Sequence, residues 1–324
     1  MQVERMVRTM KYKTAVVAVS LALASVLLIG AARGWSRRAD RQERQVVASF
    51  YPVYIAAINV TEGAEDVNVI NLTQSQTGCL HDFTLRPQDL ITLEGASLLL
   101  TNGAGMESFL DGVAQSLPSL PVVESSSGIS LLHTEPTLHV GGEHAEERGE
   151  NAHVWMSPRR YEQQVRNICS ELSAQFPQDA ALFEENAERY ISRVEALRRE
   201  MAEKLVGANG MQVILFHDSF AYFADEFGMK VGATIPIEED TALNAGEIAQ
   251  VIEKIKSTGI RVLFAEEQYS TELADAIARE TDARVYLLDT GVGGENSPDA
   301  YLDAMRKNME TVQRALQETA AAKE

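Results

Sequence analysis

The chain is 324 residues long, 45% hydrophobic and 23% charged, the balance of a globular protein with room for two ordinary domains rather than of a disordered or fibrous one. Its formal net charge of −18 at pH 7 argues against nucleic acid as a partner, because phosphate contacts need clustered Lys and Arg. The charge is also uneven: residues 1–45 hold nine Lys/Arg against three Asp/Glu, and the remainder holds 20 against 44. An acidic body either suits a cationic ligand or serves solubility alone.

The basic front end precedes "TAVVAVSLALASVLLIGAA", 19 residues from Thr14 to Ala32 without a charge, and "RGWSRRADRQERQ" follows. Positive residues before an apolar run describe an export signal or an N-terminal membrane anchor over 1–44. Small residues at 30–32 suit cleavage, the length of the run suits an anchor, and both readings stand. Either one puts the body, from Gln45 onward, outside the cytoplasm: periplasmic, or tethered to the outer face of the cytoplasmic membrane. No Cys follows the run, so a lipid-modified N-terminal Cys is not available there. The two cysteines, Cys79 and Cys169, are read either as a disulfide suited to an oxidising compartment or as two free thiols.

From Gln45, short apolar runs alternate with helical periods. "QVVASF" (45–50) and "VNVINL" (67–72) read as strands. "LRPQDLITLEGA" reads as an amphipathic helix with Pro87 in its first turn. "SLLLTNG" (97–103) and "LPVVES" (120–125) read as further strands. Residues 133–153 break the pattern: they are polar, acidic and glycine-containing, and hold four of the six histidines, which describes a loop. "SPRRYEQQVRNICSELSAQF" then opens a helix with Ser157 as N-cap and Pro158 at N1. From Gln178 to Val206, apolar Leu182, Ala187, Tyr190, Ile191, Val194, Leu197, Met201 and Leu205 recur at helical spacing; one helix of that length spans roughly 43 Å. It is either a surface helix or a rigid connector. Beyond it the alternation is cleaner: strand "MQVILFH", helix "DSFAYFADEFG", strand "MKVGATIPI", helix "NAGEIAQVIEKIKSTG", strand "IRVLFAE", helix "STELADAIARETD" and strand "ARVYLLD".

Strands alternating with helices imply an α/β fold with mostly parallel sheets. The expected architecture is an N-terminal α/β lobe (45–177), a long linker helix (178–206) and a C-terminal α/β lobe (207–324). Ligands of such folds sit at the carboxyl ends of strands. His81, His153 and His217 each fall at a strand end or helix start, and Asp289 closes "ARVYLLD" in the same way. Three imidazoles and a carboxylate suit zinc, which takes nitrogen, sulfur and oxygen donors in tetrahedral geometry. Each histidine taken singly is as readily a hydrogen-bonded structural residue.

The segments "LHDFTLRPQD", "NAHVWMSPRR", "FHDSFAYFADEFG", "FAEEQYS" and "YLLDTGVG" resemble, in order and spacing, the cluster A-I metal-binding solute-binding proteins of bacterial ABC transporters, in their zinc-type, ZnuA/TroA-like branch. The resemblance runs from Val46 to the C-terminus. It implies that His81, His153, His217 and Asp289 hold a metal, that the cargo is Zn²⁺ rather than Mn²⁺, and that a monomer delivers it to an ABC permease in the membrane. The third position, His217, is one where manganese-type members carry a carboxylate, and manganese prefers more oxygen donors. The loop of 133–150, with His133, His139 and His144, resembles a modest form of the His- and acid-rich loop of zinc-type members; an acidic surface loop without function is the alternative. The chain departs from the pattern at Leu80, Thr84 and Leu85, and the family pattern assigns no role to Cys79: it is a soft donor, a half-cystine or a buried small residue. Asp82, Asp218 and Glu266 are candidates to orient the imidazoles, and Asp82 and Asp218 equally to cap helices. A rival reading is a secreted zinc hydrolase with Glu266 or Glu267 as general base; neither HExxH nor GxSxG occurs. Nothing in the residues favours a third, a surface adhesin.

Overall fold

The computed structural model of the protein describes residues 44–73, 83–110, 112–133, 149–235, 244–266 and 271–321. In the N-terminal half, β1 (Arg44–Ala48), β2 (Val67–Asn71), β3 (Leu98–Thr101) and β4 (Val122–Glu124) form a sheet of order β2-β1-β3-β4. β1 pairs in parallel with β3, Val46 beside Leu98, and β3 with β4, Leu99 beside Val122. Helices α1 (Tyr51–Val60), α2 (Pro87–Glu94) and the short α3 (Val113–Ser116) connect them. In the C-terminal half, β5 (Gln212–Leu215), β6 (Lys230–Thr234), β7 (Val262–Glu266) and β8 (Arg284–Leu288) repeat the arrangement as β6-β5-β7-β8, all three pairings parallel. β3 and β7 are buried along their whole length, as parallel strands covered on both faces must be.

Between the sheets run α4 (Pro158–Gln175) and α5 (Ala180–Lys204). Ser157 caps α4 by accepting from the Arg160 N–H, with Pro158 at N1, as the Ser-Pro signal implies. α5 has 25 residues, about 38 Å at 1.5 Å per residue, and a short 3-10 turn flanks each end. Its buried stripe includes Ala187, Tyr190, Ile191, Val194, Leu197 and Met201, as the periodicity requires. The stripe opens on Phe183 rather than the expected Leu182, which is only half-buried. Asn186 donates from Nδ2 to the Val60 and Glu62 carbonyls at 2.9 and 2.7 Å, closing the C-terminal end of α1. The remaining helices are α6 (Ala221–Glu226), α7 (Ala245–Thr258), α8 (Thr271–Glu280) and α9 (Ala300–Ala321). Asn244 and Glu247 form a reciprocal capping box that starts α7.

The inner faces of both sheets share one hydrophobic core with α1, α4, α5 and α9, while each outer face has its own smaller cluster. The two halves are also bonded across their seam. Trp155 Nε1 donates to the Thr290 carbonyl at 2.8 Å, Tyr301 Oη to the Trp155 carbonyl at 2.9 Å, and Asn59 Nδ2 to the Pro298 carbonyl at 2.9 Å. Tyr161 and Tyr301 stack with ring centroids 3.7 Å apart. Tyr51 donates to the Glu295 carbonyl. There Gly294 has φ +146° and a Cβ on it would lie 2.9 Å from the Tyr51 hydroxyl, so both backbone and space require glycine. Among the described residues, no helix is long and apolar enough to cross a membrane; the Thr14–Ala32 run lies outside them. Cys169 is a free, buried thiol, which burial pushes up in pKa; Cys79 lies outside the described residues.

Candidate metal centre

His153 and His217 come from opposite halves and meet at the seam. His153 precedes a 3-10 turn (Val154–Met156) that leads into α4, and its side chain is 4% exposed. The segment carrying it is held at each residue. The Asn151 N–H donates to the Leu132 carbonyl at 2.8 Å, and the Asn151 carbonyl accepts from Tyr222 Oη at 2.6 Å. The Ala152 carbonyl accepts from Asn102 Nδ2 at 2.9 Å, and Gln164 holds Asn102 in turn at 2.9 Å. The His153 N–H donates to Asn151 Oδ1 at 2.9 Å, and His153 Nδ1 lies 2.9 Å from the same oxygen. Just behind Asn102, Glu107 accepts from Ser49 Oγ at 2.7 Å and from the Asn102 and Gly103 N–H groups at 2.6 and 3.0 Å. Burial still leaves the Glu107 carboxyl above the usual carboxylate range.

His217 sits two residues past the end of β5, in extended conformation, with a side chain 22% exposed. Its Nδ1 accepts from the Ser219 N–H at 3.1 Å and so caps the 3-10 turn Asp218–Phe220. The cap is thus His217, not Asp218, which is the first residue of that turn. Glu266 Oε1 lies 3.3 Å from the same nitrogen and accepts from Ser219 Oγ at 3.0 Å. Asp218 stands between the two imidazoles, its Oδ1 3.5 Å from His153 Nδ1 and 3.6 Å from His217 Nδ1. The rings themselves are 5.0 Å apart at their centroids and nearly perpendicular, at 89°. One ligand atom each from His153, His217 and Asp218 lies within 4.8 Å of the others, the grouping of metal-capable side chains found among the described residues.

Beside His153 a cavity is lined by Phe50, Met106, Trp155, Ser219, Glu266 and Thr290; apolar walls with few polar groups suit a site that strips water from its ligand. Asp289 follows β8 and adjoins Thr290. It is half-buried, its Oδ1 accepts from the Gly291 N–H at 2.7 Å, and its backbone exchanges two 2.7 Å hydrogen bonds with Asn308. It is not a member of the His153–His217–Asp218 group. His81, Asp82, His139, His144 and Glu267 lie outside the described residues, while His133 is exposed and pairs with Glu150 in an antiparallel bridge. Asn151 was not among the residues singled out by sequence, and an asparagine two residues before a histidine carries no signal of its own. Ser219 and the wall residues Phe50, Met106, Trp155 and Thr290 were missed for the same reason, whereas Glu266 was singled out.

A family model described as "ZnuA: Zinc-uptake complex component A periplasmic" matches residues 46–315. The chain is 30% identical over 323 residues to the "High-affinity zinc uptake system protein ZnuA" of Brucella abortus (strain 2308), covering 89% of this chain and 95% of that relative. It is 26% identical over 280 residues to the protein of the same name in Bacillus subtilis (strain 168), covering 84% and 87%. Among solved structures it is similar to the Zn(II)-bound ZnuA-like domain of Streptococcus pneumoniae AdcA, with TM-score 0.69, 25% identity, and coverage of 84% and 98%. These relatives are binding components of metal-uptake systems and not enzymes, which sets aside the hydrolase reading. The chain belongs to the ZnuA family of periplasmic zinc-uptake components.

Proposed function

We propose that this protein captures Zn²⁺ outside the cytoplasm, in the seam between an N-terminal lobe (45–177) and a C-terminal lobe (207–324) joined by the linker helix (178–206), and delivers it to an ABC-type permease as a monomer. The observation that carries the reading is the 5.0 Å, near-perpendicular approach of His153 and His217 from opposite halves. Two imidazoles sharing one tetrahedral ion, with Zn–N bonds near 2.0–2.1 Å, have ring centroids roughly 5 Å apart. At His153 the Nδ1 atom faces the Asn151 side-chain oxygen, which suits coordination through Nε2. At His217 the same mode of coordination requires Nδ1 to exchange the Ser219 N–H for a proton shared with Glu266. Relatives named as zinc-uptake and zinc-bound proteins support zinc over manganese.

The proposed ligands are His81, His153, His217 and Asp289. A second carboxylate competes with Asp289: Asp218 groups with both imidazoles, although its oxygen lies 3.5 and 3.6 Å from their Nδ1 atoms, which also suits a role in orienting the rings. The two assignments separate cleanly. Titration calorimetry of the metal-stripped protein is expected to show high-affinity Zn²⁺ binding that His217→Ala loses; unchanged affinity in that variant would sink the site. Loss in Asp289→Ala with retention in Asp218→Asn assigns the fourth ligand to Asp289, and the reverse pattern assigns it to Asp218. Because imidazole ligates only when neutral, affinity should fall below about pH 6. The bonds across the seam and the long helix oppose a wide hinge, so release proceeds through small rotations and loop rearrangement. Restoration of growth in zinc-poor medium by the wild-type chain and not by His217→Ala, in cells lacking their own binding component, tests delivery.

A further inference from the structure

We propose that Asn151 is a positioning residue for metal capture: its side-chain oxygen holds His153 in the tautomer whose Nε2 lone pair is available to the cation. The inference rests on the reading of His153 as a ligand. Asn151 is 1% exposed, and its side chain makes three contacts that orient it without ambiguity. Oδ1 accepts from the His153 N–H at 2.9 Å, and Nδ2 donates to the Asp218 carbonyl at 2.9 Å. A flipped amide would set two donors and two acceptors against each other, so the oxygen faces His153. An amide oxygen only accepts, hence His153 Nδ1, 2.9 Å from it, carries the proton. The neighbouring Asp218 oxygen at 3.5 Å is likewise an acceptor. A neutral imidazole protonated on Nδ1 exposes its lone pair on Nε2, the ligating form.

The amide is itself immobilised from both halves. Its backbone N–H is tied to Leu132 and its carbonyl to the Tyr222 hydroxyl of α6. That hydroxyl also accepts from the Leu132 N–H at 2.9 Å. One asparagine therefore joins the N-terminal ligand to the C-terminal half through Asp218 and Tyr222. Its acceptor is uncharged, so it orients the imidazole without the added basicity that a carboxylate would give.

The test is a pair of measurements on the full chain. In the metal-free wild type at mildly alkaline pH, nitrogen-15 NMR of the histidine rings should find His153 protonated on Nδ1; an Nε2-protonated ring overturns the inference whatever the variants do. In Zn²⁺ titrations, Asn151→Leu should lose about 10- to 100-fold in affinity, the usual effect of removing a partner behind a metal-bound imidazole. Asn151→Asp keeps an acceptor toward His153 but sets its second oxygen against the Asp218 carbonyl, so it should keep the tautomer and lose clearly less affinity than Asn151→Leu. Unchanged affinity in Asn151→Leu, or an equal loss in both variants, contradicts a role as acceptor. If instead His217→Ala binds as wild type does, the metal-site reading fails, while the tautomer measurement still decides the role of Asn151.

Discussion

His153 and His217 are the same residue type a few ångströms apart, yet their surroundings differ. His153 is almost fully buried, on a segment whose successive backbone groups are tied to Leu132, Tyr222 and Asn102. Its Nδ1 faces acceptors, Asn151 and Asp218. His217 is more open, and its Nδ1 meets conflicting partners: the Ser219 N–H, which needs a lone pair, and the Glu266 and Asp218 carboxylates, which favour a proton. One imidazole is preset by its scaffold, and the other is adjustable. On the proposed function, a seam that holds and releases a cation would gain from that division, because only one of the two proposed ligands would have to change its bonding for the ion to leave.

Four changes break or sharpen this contrast. The largest effect belongs to the preset half: His153→Ala should weaken Zn²⁺ binding by more than the roughly 100-fold that loss of an outer partner costs, read by competition with a chelating dye. At the adjustable half, Glu266→Gln should cost less, within about tenfold, because Ser219 and Asp218 remain as partners of His217; the same titration reads it, and a loss equal to that of His153→Ala would erase the distinction. Ser157→Ala removes the cap of α4 and should lower stability by about 1 kcal/mol in urea unfolding, with metal affinity unchanged. The smallest effect concerns Glu107, behind the preset segment. Burial raises its carboxyl above the ordinary value of 4.5 in the folded protein, so the folded state binds the proton more readily than the unfolded chain. Stability from this group therefore rises as pH falls through the raised value towards 4.5, and is absent from Glu107→Gln. Unfolding curves of the two metal-free proteins across that window should diverge in that direction.

The strands and long helix were legible because their residues repeat with the period of the structure they form: Ala187 to Met201 on α5, and the apolar run of 262–265 in β7. The Ser-Pro start of α4 was legible from its chemistry alone. α1 was not, since it is buried nearly all round and shows no polar face to set a period. α9 lay beyond the last strand read, although Tyr301, Leu302, Met305, Met309 and Val312 carry helical spacing. At the site, sequence singled out His153 and His217 by their positions at element ends, and Asp218 and Glu266 as partners. Their assembly depends on two halves meeting, with Trp155 bonded to Thr290 and Tyr301 to Trp155, and no local pattern encodes that. The expected Asp289 stands beside this cavity wall rather than in the three-residue group. Its hydrogen bonds to Gly291 and Asn308 are made by residues too distant in sequence, or too ordinary, to announce them.

The most direct test is the position of the ion itself. Crystals of the zinc-loaded protein, measured on both sides of the zinc absorption edge, should show one strong anomalous peak within about 2.0–2.1 Å of Nε2 of both His153 and His217. A peak bound through only one of these imidazoles, or lying away from the seam, would contradict capture between the two halves.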